Sequence, residues 1–147
     1  MPVHNADVAA LFEDVADLLA IQGENAFRIR AYRNAARTLN QLSRPVADLV
    51  AAGEDLSDLP DIGDDLAGKI ATIVETGRLP LYDELARDIP PSVADLLRIP
   101  GLGPKRVRRL RDDLGVDSRA ALKRAAETGK VQALDGFGET MEQNILD

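Results

Sequence analysis

A glycine-centred turn pattern occurs three times in the sequence and constrains the fold more than any other feature. The copies are LPDIGDDLAGKI (59–70), IPGLGPKRVRRL (99–110) and LDGFGETMEQNI (134–145). Each has an apolar residue, two intervening positions, a second apolar residue and a glycine, followed by apolar residues at helical spacing. A shorter repeat, ETGRL (75–79) and ETGKV (127–131), accompanies it. The pattern indicates short helices joined by tight hairpins.

The rest of the sequence also favours helices, so the expected fold class is all-α with no sheet. Ala and Leu recur in runs such as AALFEDVADLLA, and only five residues are aromatic, a composition that favours helices over strands. Phe27 and Tyr32 are expected in a core or pocket wall rather than as base-stacking residues. Periodicity and capping residues predict helices over about 6–22, 27–42, 45–52, 66–75, 81–88, 92–97, 104–114, 118–128 and 139–146.

The proline pair Pro90–Pro91 is the best candidate for a domain boundary. Proline blocks the continuation of a helix and biases the preceding residue toward extended conformations. We therefore predict two small helical subdomains, residues 1–88 and residues 89–147.

The composition excludes several classes of function. Because the chain has no cysteine, it cannot form a disulfide, use a thiolate nucleophile or build a zinc–cysteine site. No apolar run approaches the roughly 20 residues needed to cross a bilayer, and the N-terminus lacks the layout of a secretory signal. We expect a cytoplasmic monomer without membrane contact.

Charged residues are segregated along a chain whose formal net charge is −7. Residues 25–47 hold five arginines and residues 98–111 hold six basic residues, with no acid in either segment. Residues 1–24 and 48–66 contain acids and neither Lys nor Arg. Segregated positive charge suits the binding of an acidic partner such as nucleic acid, although solvated helix faces would also explain such runs.

The second copy of the turn has the chemistry of a phosphate-binding site. Gly101 and Gly103 bend the chain sharply, and Pro104 suits the first position of the helix that follows. Backbone N–H groups at such a helix N-terminus attract an anion, which can approach where no Cβ intervenes. Three basic side chains of the helix can add charge-assisted contacts: Lys105, Arg106 and Arg109.

This second copy resembles a helix-hairpin-helix motif, which binds nucleic-acid phosphates without sequence preference. The first copy departs from the motif because Asp61 replaces a glycine and Asp64 and Asp65 stand where basic residues would help. The third copy keeps both glycines, but Glu139 follows them. We therefore expect the second copy to bind DNA and the third to serve mainly in packing.

The order of segments over nearly the whole chain resembles the N-terminal part of X-family DNA polymerases, especially the bacterial and archaeal type. The matching segments are NAFRIRAYRNAARTL, LPDIGDDLAGKIATIVETGRL and IPGLGPKRVRRL. The resemblance implies a first domain that binds the 5′-phosphate side of a DNA gap, with 5′-deoxyribose-phosphate lyase activity in several members, and a second domain that contacts the primer strand. Since the family's catalytic carboxylates belong to a later palm domain, polymerisation is not expected of this chain.

The resemblance also implies roles for individual residues. Lys69 matches the lysine that forms a Schiff base in the lyase, where partial burial would favour the neutral amine; an ordinary helix lysine is the alternative. Arg28 and Tyr32 match 5′-phosphate-binding positions, whereas Ser57 and Asp65 stand where the family often has lysines. A monovalent cation, Na⁺ or K⁺, would be held at the second hairpin by the backbone carbonyls of Leu97, Ile99 and Leu102.

These observations favour a module that binds gapped or nicked DNA through phosphates and without sequence preference, with no required cofactor. Two alternatives stay open: a deoxyribose-phosphate lyase that uses Lys69, and a helical protein-interaction scaffold in which the hairpins only stabilise helix pairs. Salt dependence separates DNA binding from the scaffold because phosphate contacts release counterions.

Overall fold

The computed structural model describes residues 3–134 and 136–146, and within them it contains helices and turns but no strand. Asp135 of the third repeat lies outside the described residues. The all-α prediction is confirmed. The α-helices are α1 (Asn5–Gln22), α2 (Ala26–Gln41), α3 (Val46–Ala51), α4 (Asp64–Thr76), α5 (Pro80–Asp88), α6 (Pro91–Ala94), α7 (Pro104–Leu114), α8 (Arg119–Glu127) and α9 (Glu139–Leu146).

Most helices begin and end within two residues of the predicted positions. The helix predicted over 92–97 differs, because α6 ends at Ala94 and the chain continues as a 3₁₀ helix, Asp95–Arg98. A second 3₁₀ helix, Leu56–Asp58, precedes the first hairpin in the same way. The tighter 3₁₀ turn lets the chain enter the first and second hairpins directly, with i→i−3 hydrogen bonds in place of a further α-helical turn.

Residues Glu24–Leu85, together with the chain up to Leu19, form one compact unit. In this unit α3 and the 3₁₀ helix Leu56–Asp58 both pack against α4. The rings of Phe12 and Tyr32 meet edge to face in its core, with their centroids 5.4 Å apart, a favourable aromatic geometry. Other fully buried side chains of the unit are Val8, Val15, Leu39, Ile70 and Ile73.

Residues Ala20–Gly23 and the chain from Ala86 onward form the second compact unit. Here α8 packs against α9, and the 3₁₀ helix Asp95–Arg98 packs against α6 and α7. In α7 the buried residues are Val107 and Leu110, so its basic side chains are left at the surface. Further buried side chains of the unit are Ile89, Val93, Leu96, Leu102, Val116, Leu122, Val131 and Phe137.

The three hairpins share the same backbone hydrogen bonds, so the sequence repeat is also a structural repeat. In the second hairpin the Leu102 N–H donates to the Ile99 carbonyl (3.0 Å), and the Val107 N–H donates to the Gly103 carbonyl (3.0 Å). The corresponding distances are 3.3 and 2.8 Å in the first hairpin and 3.1 and 3.0 Å in the third. One hydrogen bond closes each turn, and the other starts the helix that follows.

The hairpins also share a residue in the left-handed region of φ. Gly101 has φ 88°, Gly136 has φ 84°, and Asp61 holds the same position in the first hairpin with φ 62°. In the described part of the chain, Asp61 is the only residue other than glycine with positive φ. Aspartate tolerates this region better than most residues, which explains how the first hairpin forms without the glycine expected from the motif.

None of the helices in the described residues has both the length and the apolar character needed to span a membrane.

Candidate nucleic-acid interface

The helix that follows the second hairpin begins with an open N-terminus. Gly103 occupies the N-cap position of α7 with φ −86° and ψ 177°, and no side chain caps it. A Cβ built on Gly103 would meet no heavy atom within 4 Å. The first N–H groups of a helix lack intrahelical acceptors and carry the positive end of the helix dipole. An anion can therefore reach them beside Gly103.

Gly101 has a different role. A Cβ built on this residue would lie 3.1 Å from both Sδ and Cε of Met141. Since Met141 belongs to α9, the space left by the missing Cβ holds a side chain of the third repeat. The sequence predicts that both glycines admit an anion. In the structure the open approach lies at Gly103, whereas Gly101 allows the second and third repeats to pack closely.

The basic side chains at the start of α7 also divide into two kinds. Lys105 is exposed and has no hydrogen-bond or ion-pair partner among the described residues. Arg106 donates from Nη1 to the Gly101 carbonyl (2.9 Å) and from Nη2 to the Gly136 carbonyl (3.4 Å). Arg106 thus bridges the left-handed residues of the second and third hairpins, whereas Lys105 is available to an external anion.

Two guanidinium groups of α7 lie over one aromatic ring of the third hairpin. The Cζ atoms of Arg106 and Arg109 are 5.9 Å and 5.6 Å from the ring centroid of Phe137. These cation–π contacts were not predicted from the sequence, because α8 lies between α7 and the third hairpin in the chain. The third repeat therefore positions basic side chains that the sequence analysis assigned to DNA contact.

The remaining arginines of α7 are close to carboxylates, although residues 98–111 contain no acid. All of these side chains are at least partly exposed, and such surface pairs contribute little in water, so a DNA phosphate can replace the carboxylate. The pairs are Arg108 with Asp112 (3.7 Å), Arg109 with Asp113 (3.7 Å) and Arg111 with Asp88 (3.5 Å).

The first hairpin has the same backbone but the opposite charge. Gly63 is the N-cap of α4 with φ −89° and ψ −176°, and Asp64 and Asp65 occupy the first helical turn. By position in the repeat, Asp65 corresponds to Lys105 of the second hairpin. These carboxylates favour the helix N-terminus but repel a phosphate. Over residues 3–134 and 136–146, no group of three or more His, Cys, Asp or Glu side chains could hold a metal ion.

Lys69, the candidate Schiff-base residue, lies on α4 in this acidic environment. Its side chain is 23% exposed, and its Nζ atom is 2.7 Å from Oδ1 of Asp65, one helical turn earlier. The ammonium group is therefore engaged in an ion pair. To attack an aldehyde, it must leave Asp65 and lose a proton.

The two candidate 5′-phosphate residues lie on α2 in different surroundings. Nη1 of Arg28 is 3.6 Å from Oε1 of Glu24 at the helix surface. Tyr32 is only 2% exposed because its ring packs in the core. Their role in binding phosphate stays a prediction.

The expectation for the neighbouring Phe27 was wrong, since this residue is 76% exposed. Phe27 is the second residue after the N-cap Asn25, whose Oδ1 accepts the Phe27 backbone N–H (2.7 Å). Phe27 therefore lies in the first turn of α2, before the first buried residue of that helix, Tyr32. The guanidinium of Arg30 lies 5.8 Å from the Phe27 ring centroid.

Comparisons with known proteins agree with this arrangement of hairpins. Residues 3–79 match the family described as helix-hairpin-helix domain, and residues 93–147 match the family described as SAM-like helix-hairpin-helix tandem. The chain is also similar to the DNA polymerase/3′-5′ exonuclease PolX of Bacillus subtilis (strain 168), with 33% identity over 144 residues. That match covers 98% of this chain and 25% of PolX, so the chain spans about a quarter of the length of this relative.

Proposed function

Since the chain belongs to the helix-hairpin-helix domain family and resembles the N-terminal part of PolX, we propose that it binds DNA at its second hairpin through backbone phosphates. The observation that carries this proposal is the open N-terminus of α7 at Gly103 beside Lys105, which has no partner in the described part of the chain. Contacts of this kind position a protein on DNA without reading bases. Binding is therefore independent of sequence.

Gapped or nicked DNA is the form of DNA that we propose as the target. The support is the resemblance of the segments around α2 and α4 to the part of X-family polymerases that binds the 5′-phosphate side of a gap. Arg28 is the residue proposed to contact that phosphate directly, and Tyr32, which is 2% exposed, would join it only if DNA binding made its hydroxyl accessible. The acidic first turn of α4 disfavours phosphate binding by the first hairpin on intact duplex. In the first unit, the terminal 5′-phosphate of a gap is therefore the contact that would add to binding at the second hairpin.

A salt titration of DNA affinity tests this function. If about four phosphates are neutralised, the logarithm of affinity falls with the logarithm of salt concentration at a slope of roughly −3.6, and Lys105→Gln reduces the slope by about 0.9. Fluorescence anisotropy measures both on gapped and intact duplexes of one sequence, and we expect tighter binding to the gap. Lys130→Gln is the matched control because Lys130 is also exposed and has no partner in the described chain. A slope near zero would favour the protein scaffold, and equal affinities would refute the preference for gaps.

A monovalent cation, Na⁺ or K⁺, is the ligand that we propose for the turn of the second hairpin. The Ile99 carbonyl already accepts the Leu102 N–H and has a second lone pair, so it fits this role. The ion would be held by the carbonyls of Leu97, Ile99 and Leu102 and would add positive charge beside the bound phosphate. Replacing K⁺ by tetramethylammonium at equal ionic strength should weaken DNA binding by about tenfold, the effect of losing one charge-assisted contact. Unchanged affinity would remove the ion from the proposal.

A 5′-deoxyribose-phosphate lyase is the second candidate function, favoured by the partly buried position of Lys69 on α4. In this reaction the Lys69 amine attacks the sugar aldehyde and a Schiff base forms with loss of water. Removal of a C2′ proton then breaks the bond between C3′ and its phosphate oxygen, and the phosphate leaves with the bond electrons. Water hydrolyses the remaining Schiff base and restores the amine.

Borohydride trapping on DNA with an incised abasic site tests the lyase. We expect a covalent adduct with the wild-type protein, none with Lys69→Ala, and more with Asp65→Asn, which frees the amine from its ion pair. The same adduct with Lys69→Ala would exclude Lys69 as the nucleophile. The absence of an adduct under conditions where DNA is bound would exclude the activity.

A further inference from the structure

A pocket of about 350 Å³ lies next to the second hairpin, and apart from Ile99 its lining residues take no part in the contacts proposed above. Ile99 and Pro100 of the hairpin line one part, and Leu122 and Ile145 add apolar surface. The polar side chains of the lining are Arg98, Arg119, Lys123 and Asn144. All of these residues belong to the second compact unit.

Positive charge exceeds negative charge at this pocket. One carboxylate, Asp95, accepts a hydrogen bond from Nε of Arg119 and lies 3.6 Å from Nε of Arg98. The Arg119 hydrogen bond holds the pKa of Asp95 below its usual value, so the carboxylate is ionised at neutral pH. Lys123 is exposed and has no partner within the described residues. Among residues 3–134 and 136–146, three cationic side chains thus surround the pocket, with the carboxylate of Asp95 paired to two of them.

Asp95 also fixes the positions of two of these cations. Arg119 donates from Nε to the Asp95 carboxylate and from Nη2 to the Asp95 carbonyl at 3.5 Å, and no contact of Nη1 is found among the described residues. The Arg98 side chain is 80% exposed and keeps most of its donors in solvent. Arginine donors held in this way can form paired hydrogen bonds to phosphate oxygens, and Lys123 adds a point charge.

We infer that this pocket binds a second phosphodiester of the DNA strand whose backbone is held at Gly103. The inference rests on the proposed DNA binding. Ile99 and Pro100 line the pocket and directly precede Gly101 in the chain, so the pocket adjoins the hairpin. Successive phosphates of a strand advance by about 3.4 Å along the duplex axis, so a strand held at Gly103 presents further phosphates beside the hairpin. The apolar part of the lining suits the sugar between them.

Salt titration of the full chain on gapped duplex tests this second contact. Lys123→Gln should lower the magnitude of the slope by about 0.9, and adding Arg98→Gln should lower it little further, because the pocket holds a single phosphate. At 0.1 M salt the single variant should bind about eightfold more weakly, if the counterion contribution vanishes near 1 M. Lys130→Gln is again the control and should leave the slope unchanged, since Lys130 does not line the pocket. Circular dichroism verifies that each variant is folded.

The possible outcomes separate this inference from the proposed function. If the wild-type protein does not bind DNA, the proposed function fails and this inference fails with it. If Lys105→Gln lowers the slope but the pocket variants do not, only the inference is overturned. If Lys130→Gln lowered the slope as much as Lys123→Gln, DNA affinity would depend on net charge alone, and the inferred contact at the pocket would also be overturned. A separate titration uses inorganic phosphate alone and follows the amide NMR shifts of the pocket residues. If phosphate moves these resonances while the pocket variants keep the wild-type salt slope for DNA, the pocket is a site for free phosphate, and the DNA contact is overturned.

Discussion

Gly101→Ala is expected to destabilise the protein by about 1–3 kcal/mol. At φ 88° an alanine is strained, because the left-handed region brings Cβ close to the backbone. The new Cβ would also lie 3.1 Å from Sδ and Cε of Met141, so the α9 side chain would have to shift. Urea denaturation followed by helical circular dichroism measures the loss in the free energy of unfolding.

The first hairpin supplies a control with the opposite sign. Asp61 holds the same position with φ 62°, so Asp61→Gly removes strain of about 1–2 kcal/mol but adds backbone entropy to the unfolded chain, about 0.5–1 kcal/mol. We expect a net stabilisation of about 0.5–1 kcal/mol. If Gly101→Ala were as stable as wild type, the second hairpin would not require a glycine in the left-handed region. The shared backbone conformation of the repeats would then contribute nothing measurable to the free energy of unfolding.

Gly103→Ala is expected to weaken DNA binding by about tenfold to a hundredfold and to leave the fold intact. The backbone at Gly103 is in the extended region and a Cβ has room there, so the fold is kept, although alanine is a poorer N-cap residue and costs about 0.5–1 kcal/mol of stability. The Cβ would nevertheless stand where a phosphate approaches the first N–H groups of α7. Losing a hydrogen bond to a charged group costs about 1.5–3 kcal/mol, which corresponds to that change in affinity. Fluorescence anisotropy with gapped duplex gives the affinity, and urea denaturation gives the stability.

Gly63→Ala is the matched control for this binding experiment. Gly63 has nearly the same dihedral angles and equally open surroundings, but it precedes Asp65 where Gly103 precedes Lys105. We expect DNA affinity to be unchanged. If Gly63→Ala weakened binding as much as Gly103→Ala, both hairpins would contact DNA, and the acidic first turn of α4 would not prevent it.

Arg106 shows why a basic residue beside a hairpin is not necessarily a DNA contact. Its guanidinium joins the carbonyls of Gly101 and Gly136 and lies over Phe137. The packing is reciprocal, since Met141, which holds the position of Arg106 in the third repeat, lies against Gly101. The third hairpin therefore supports the second, as its acidic sequence suggested. A variant at Arg106 would alter this packing as well as the charge, which makes Lys105 the sharper probe of DNA binding.

The sequence alone determined the helices and the three hairpins of this protein, because both depend on interactions between residues close in the chain. Glycine at fixed positions, apolar residues at helical spacing and proline at helix starts act locally, and even Asp61 keeps the hairpin backbone. The second hairpin could be recognised as the phosphate-binding candidate for the same reason, since its glycines and basic residues are contiguous.

Contacts between distant residues could only be decided by the tertiary structure. Met141 fills the space at Gly101 while Gly103 stays open, and no sequence pattern distinguishes these two glycines. Likewise, Arg98 and Lys123 come to line one pocket only because α8 and α9 pack together beside the hairpin. Sequence spacing fixes which residues share a helix face, but the packing of helices against each other determines which cations remain available to a phosphate.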